Sequence, residues 1–136
     1  MVSAEQMDSL FFSARKAAEA AYAPYSKFRV GAALLCENGS VVTGCNVENR
    51  SFGLTICAER NAVFSAVAGG SRRFIALAIS TPDSVECVGP CGACRQVLSE
   101  FMSPETPVRF AGSGPDQVNT TIGELLPWDS LHDLAV

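Results

Sequence analysis

Cys57-Ala58-Glu59-Arg60-Asn61-Ala62 and Pro90-Cys91-Gly92-Ala93-Cys94-Arg95-Gln96-Val97 are the two stretches on which the reading of this chain turns. Each opens a predicted helix. A sulfur at a helix start faces unsatisfied N–H groups and the positive end of the macrodipole, which favours the thiolate and therefore metal binding. Cys57, Cys91 and Cys94 together offer three thiolates for one ion, and Glu59 stands two residues from the first of them. That is the layout of a zinc site whose fourth position is left open to water, with an acid/base beside it. One Zn²⁺ per chain is expected.

Working outward, residues 57–68 read as a helix closed by Gly69-Gly70, with Ala62, Val63, Phe64, Ala66, Val67 and Ala68 leaving almost no polar face. Such a helix is buried, either centrally or at a subunit contact. The apolar run 74–80 suits an inner strand, 91–101 a helix after Pro90, and 108–111 a further strand. Towards the N-terminus, Ser3-Ala4-Glu5-Gln6 has the form of a capping box, and the helix it starts ends before Pro24. Residues 28–36 and 41–47 read as a hairpin turned at Asn38-Gly39, which sets Cys36 opposite Val41 and Cys45 opposite Ala32. Residues 49–55 and 112–115 are loops, and 122–126 is a short helix or turn stopped by Pro127. The order predicts one α/β domain over residues 1–136: a mixed sheet, antiparallel hairpin plus parallel strands, flanked by helices.

With 18% charged and 48% hydrophobic residues, the chain owns more apolar surface than one copy can bury, so a homo-oligomer is expected. A net charge of -4 without basic runs gives no footprint for polymeric nucleic acid. Residues 1–9 have no apolar signal region, and no run is long enough to span a membrane, so the expected location is the cytoplasm. Six cysteines could form a secreted disulfide framework, but Cys36 and Cys45 are out of register for a bridge. Reduced thiols and a metal fit better.

A lone C-x-x-C also occurs in thioredoxin-like redox pairs, which would leave Cys57 and Glu59 unexplained. A closed structural zinc would need a fourth ligand, Cys87 or His132, the single histidine. Glu59 could merely complement a helix dipole, yet its place beside a ligand favours a catalytic role. Three thiolates and Zn²⁺ sum to minus one, which opposes ionisation of a bound water. Arg60 and Arg95, each following a site residue, are the candidates to donate charged hydrogen bonds to the sulfurs; otherwise they are surface arginines.

These residues resemble the cytidine deaminase family in its short homotetrameric form. The resemblance spans nearly the whole chain through Ala23-Pro24-Tyr25-Ser26-Lys27-Phe28-Arg29-Val30-Gly31-Ala32-Ala33, Gly44-Cys45-Asn46-Val47-Glu48-Asn49 and the two cysteine stretches. It implies a three-layer cytidine deaminase-like domain in which Cys57, Cys91 and Cys94 bind zinc and Glu59 shuttles protons. Phe28 would stack on the pyrimidine, Asn46 and Glu48 would hold the ribose 3′-hydroxyl, and the Ala58 backbone would meet the base edge. Asn46 and Glu48 alternate along one strand face, which permits joint recognition; a turn at the strand end is the plainer use of both.

The implied reaction is hydrolytic deamination of cytidine and 2′-deoxycytidine to uridine and 2′-deoxyuridine in pyrimidine salvage. A tetramer with active sites shared between subunits is implied as well. Two departures concern the pocket lid. Phe52 stands where the family usually has tyrosine, and after Leu125-Leu126-Pro127 the usual aromatic position holds Ser130, with Trp128 two residues earlier. Tyr25, Phe52 and Trp128 are the lid candidates. The rivals are a deaminase of a modified cytosine nucleoside such as blasticidin S, and a structural zinc or protein-binding module.

Overall fold

The computed structural model describes residues 1–131 together with Leu134. The elements run α1 (Ala4–Ala18), β1 (Gly31–Cys36), β2 (Val41–Cys45), α2 (Ala58–Ala68), β3 (Phe74–Ser80), α3 (Gly92–Ser99), β4 (Pro107–Ala111), β5 (Val118–Thr121) and α4 (Ile122–Leu125), with a short 3₁₀ turn at Phe52–Leu54. The strands form one sheet in the order β2-β1-β3-β4-β5. Only β3 and β4 pair in parallel, and α3 lies in the crossover between them. The other pairs are antiparallel.

Alternation along the central strands makes the layers. Ala32, Leu34, Leu77 and Ile79 point to one face and pack with Ala58, Ala62, Val63 and Ala66 of α2 and Leu98 of α3. Ala33, Leu35, Ala76 and Ala78 point to the other, under Met7, Leu10 and Ala14 of α1. The capping box forms as expected: Gln6 N donates to Ser3 Oγ at 3.1 Å and Ser3 N to Gln6 Oε1 at 2.8 Å. Gly44 brings α2 down onto the sheet. A Cβ there would lie 2.4 Å from Ala62 N and 2.6 Å from Ala58 O, so only glycine allows the start of α2 to sit where it does.

Several boundaries differ from expectation, for local reasons. Helix α1 stops at Ala18 because the chain beyond it pairs elsewhere: Tyr22 N donates to Asn46 O at 3.0 Å and Glu48 N to Tyr22 O at 2.9 Å. The first strand begins at Gly31 rather than Phe28, since side chains hold the backbone of residues 25–30. The hairpin is one residue out of the expected register, pairing Leu35 with Val41 and Gly31 with Cys45. Its loop has three residues: Cys36 N donates to Ser40 O, and Gly39, at φ 90°, closes the turn on Cys36 O. Cys36 and Cys45 are both free thiols, as are the other four cysteines.

Helix α2 is not buried all round. Its sheet face is buried, but Phe64 remains 50% exposed on the outer face. β5 carries no strand signal in its sequence: Val-Asn-Thr-Thr has no apolar alternation, and its edge position requires none.

Candidate active site

Cys57 and Cys91 are the N-cap residues of α2 and α3, both extended in backbone, with φ/ψ of -68°/156° and -66°/164°. Each cap carbonyl accepts the first helical hydrogen bond, from Asn61 N and Arg95 N, at 3.0 Å in both cases. Neither side chain is used as a cap, so both sulfurs are free to face each other across 3.9 Å. Cys94, one turn into α3, completes a cluster whose sulfurs all lie within 4.8 Å of one another. Tetrahedral zinc at about 2.3 Å from each sulfur would set them roughly 3.8 Å apart, so the cluster fits the ion. Among the described residues it is the only grouping of this kind.

Cys87 is not part of it. Its thiol donates to Asp116 O at 3.4 Å, which removes the fourth protein ligand that a closed site would take from this residue. His132, the other such candidate, lies outside the described residues.

The electrostatics prepare one of the sulfurs, that of Cys57, for a cation. Cys57 is held down at about 5, first by the Cys94 thiol donating to its sulfur and, against the opposing effect of burial, by Arg60. Arg60 Nη2 lies 3.2 Å from that sulfur. Cys94 is pushed upward by the same contact with Cys57 and by burial. Glu59, 4% exposed, has its carboxyl raised to about 7, chiefly by burial. A carboxyl poised there can both take and give a proton near neutral pH.

Arg95 does not do what its neighbour Cys94 suggested. Its Nε donates to Pro90 O at 2.8 Å and its Nη1 to Leu125 O at 3.0 Å. The guanidinium ties the approach to α3 to the end of α4 and leaves the sulfurs to Arg60.

Cys57, Cys91 and Glu59 open into a cavity of about 200 Å³ lined also by Phe28, Val30, Asn46, Thr55, Ala58, Ile79, Thr81, Val88 and Gly89, with Cys94 buried behind them. It lies at the C-terminal end of β3, beside its parallel neighbour, where α/β sheets characteristically bind ligands. The chain belongs to the cytidine deaminase family. Residues 4–109 match the model of the cytidine and deoxycytidylate deaminase zinc-binding region. The cytidine deaminase of Sporosarcina psychrophila is 49% identical over 121 residues, which are 89% of this chain and 88% of that one. The crystal structure of cytidine deaminase from Burkholderia pseudomallei superimposes with a TM-score of 0.84 at 48% identity, covering 88% of this chain and 95% of the other. A blasticidin-S deaminase of Bacillus cereus is more distant, 34% identical over 109 residues, or 75% of this chain and 76% of that one.

Within this cytidine deaminase fold the expected substrate residues separate. Phe28, Asn46 and Ala58 reach the cavity. Asn46 is already engaged there, its Oδ1 accepting from Val30 N and its Nδ2 donating to Phe28 O, both at 2.8 Å. Glu48 does not line the cavity; its Oε1 accepts from Tyr25 N at 3.0 Å and Ser26 N at 3.1 Å, and its Oε2 accepts from Ser26 Oγ. Tyr25 and Phe52 are exposed and touch ring to ring at 5.7 Å, and neither lines the cavity. Trp128, at φ 59° and 98% exposed, borders a separate hollow with Met102, Ile122 and Leu126.

Thr55 and Thr81 are cavity residues that sequence reasoning missed. Thr81, just past β3 and before Pro82, had a signal in its strand-end position; Thr55 had none.

Proposed function

We propose that the chain hydrolytically deaminates cytidine and 2′-deoxycytidine to uridine and 2′-deoxyuridine with release of ammonia. The observation that carries this is the buried Glu59 carboxyl opening, beside three clustered thiols, into a cavity of about 200 Å³ that Phe28 helps to wall. The cytidine deaminases that resemble the chain over most of its length support it. No lysine or arginine lines the cavity, which favours a nucleoside over a nucleotide. The closer identity to cytidine deaminases than to the blasticidin-S enzyme favours the unmodified base.

Cys57, Cys91 and Cys94 would hold zinc, which when bound supplies Lewis acidity toward water. Phe28 offers its ring face to the pyrimidine, and the Ala58 backbone offers hydrogen bonds at the base edge. Glu59 removes a proton from the attacking water and delivers it to N3, which makes C4 electrophilic. After addition at C4, Glu59 takes the proton of the new C4 hydroxyl and passes it to the amine, so that the C4 carbonyl forms as the C4–N bond breaks and ammonia leaves. Asn46 keeps one amide proton and spare acceptor capacity for a sugar hydroxyl. Glu48 acts on the same sugar through its remaining lone pairs while holding the turn at residues 25–26.

The whole chain acts as one domain, and four copies form the enzyme, with Phe64 on the outer face of α2 in a subunit contact and Trp128 covering a neighbour's pocket. The apolar exposure of Phe64 and Trp128 supports that assembly. No helix among the described residues is long and apolar enough to cross a membrane, which is consistent with pyrimidine salvage in the cytoplasm. An ultraviolet assay of cytidine loss, with zinc measured on the same sample, tests the proposal. Stoichiometric zinc with no ammonia formed would favour a structural zinc module instead.

A further inference from the structure

Among the segments outside regular secondary structure that wall the cavity are residues 25–30, which carry Phe28, and residues 81–91, which carry Thr81, Val88, Gly89 and Cys91. They are built in opposite ways. The front of the 81–91 segment is anchored by backbone bonds: Thr81 N to Ala111 O at 3.0 Å, Ser113 N to Ser84 O at 2.7 Å and Gly114 N to Val85 O at 3.2 Å. The packing is so close that a Cβ on Gly112 would lie 2.1 Å from Ser84 O.

Residues 25–30 instead depend on side chains. Lys27 sits at φ 59°, and the segment's own backbone bonds are few. Glu48 holds the amides of Tyr25 and Ser26, Ser26 Oγ holds the amide of Phe28 at 3.0 Å, and Asn46 holds Phe28 O and Val30 N. Of the two remaining amides, that of Lys27 donates to Ala23 O at 3.0 Å and that of Arg29 to Asp83 Oδ2 at 2.8 Å. Asp83 also receives the Arg29 side chain in a fork, Nε to Oδ2 at 3.0 Å and Nη2 to Oδ1 at 2.7 Å. Among these clamps it is the one that joins residues 25–30 to the anchored loop leading into Cys91.

We propose that Asp83, acting through Arg29, is a positioning residue that fixes the Phe28 ring relative to the metal-side loop and so sets the width of the slot that grips the pyrimidine. The proposal rests on reading the cavity as a nucleoside site. Stability is a poor explanation for the pair, because its side chains are 44% and 26% exposed and ion pairs so placed add little to folding. Its third hydrogen bond, to the amide next to Phe28, is what a positioning role requires. The same bonds hold the Asp83 carboxyl down at about 2, first through the Arg29 side chain, so the clamp is ionised throughout the neutral range.

The test uses zinc-loaded wild type, Asp83→Asn, Asp83→Ala and the double variant Arg29→Ala/Asp83→Ala, with amide hydrogen exchange, KM and kcat for cytidine, zinc content and melting temperature measured on each. In Asp83→Ala, KM is expected to rise about tenfold, the equivalent of roughly one hydrogen bond to a charged group, while kcat stays within about threefold. Asp83→Asn, which keeps an acceptor for the Arg29 amide, should fall between. The double variant should be no worse than Asp83→Ala, since both act in one unit. Exchange over residues 25–30 should accelerate while α2 and α3 stay protected, with zinc content unchanged. Unaltered exchange at residues 25–30 would overturn the proposal whatever the substrate proves to be. So would an unchanged KM accompanied only by a lower melting temperature, which is the signature of a purely structural pair. A wild type that does not deaminate cytidine would refute the nucleoside reading instead, and the exchange comparison would still decide the clamp.

Discussion

The Arg60 guanidinium stands 3.2 Å from the sulfur of Cys57, one helical turn behind it on α2. This contact answers a problem of charge. Three thiolates and a divalent ion would carry one net negative charge, and a single arginine at this place would restore neutrality and draw electron density from the sulfurs. Arg60→Gln should therefore retain most of its zinc yet lose turnover by about 10- to 100-fold, as read from steady-state rates normalised to bound metal. Full activity per zinc would assign Arg60 to packing alone.

Glu59→Gln preserves the shape of a buried side chain and removes its proton chemistry. Turnover should fall by roughly 10² to 10⁴ with fold and zinc intact. A rate near that of the wild type, checked by ammonia release, would rule out Glu59 as the acid/base.

The cysteines divide into two classes that metal analysis can separate. Cys91→Ala should lose zinc, because two sulfurs remain of the three. Cys87→Ala should keep both zinc and activity, since that thiol is spent on Asp116 O. Metal loss in Cys87→Ala would reverse the assignment.

Acid should leave the Phe28 segment in place until well below the usual working range. The Asp83 carboxyl ionises at about 2 in the folded chain, below its ordinary 3.8, through its bonds to Arg29. A group lowered in this way favours the fold fully above 3.8, and that contribution is lost as pH falls from there through about 2. Glu48 is lowered as well, first by Ser26. Hydrogen exchange over residues 25–30, corrected for the intrinsic pH dependence, should stay flat through the neutral range and rise only as pH falls below the ordinary values of the two carboxyls, 4.5 for Glu48 and 3.8 for Asp83. A rise centred near neutral pH would contradict the assignment of both carboxylates.

Trp128 is 98% exposed, so packing against its own chain does not account for it. If it covers a neighbouring pocket, Trp128→Ala should raise KM for cytidine while zinc content and assembly state are unchanged. Kinetics identical to wild type would leave the lid to Tyr25 or Phe52.

The metal cluster was legible in sequence because helix starts are marked locally, by Cys57 and by Pro90-Cys91, and a start fixes where a side chain points. Strand β3, a continuous apolar run, was equally plain and falls at Phe74–Ser80 as read. The misreadings came where the decisive partner is distant in the chain. Phe28–Val30 resembles the beginning of a strand, but its backbone is claimed by Asn46 and Asp83, 18 and 54 residues away from their respective partners Phe28 and Arg29. Arg95 follows a ligand in sequence and yet turns to Leu125 O. β5 is polar because one side of it meets only solvent, so no hydrophobic period announces it.

An ordinary helix begins with a serine, threonine, aspartate or asparagine whose oxygen ties down the first amides, worth about 1 kcal/mol. α2 and α3 begin with sulfurs that form no such bond. The two helix starts that meet at the site therefore go without the side-chain bond that other helices use, and a metal shared by their sulfurs would tie both ends at once.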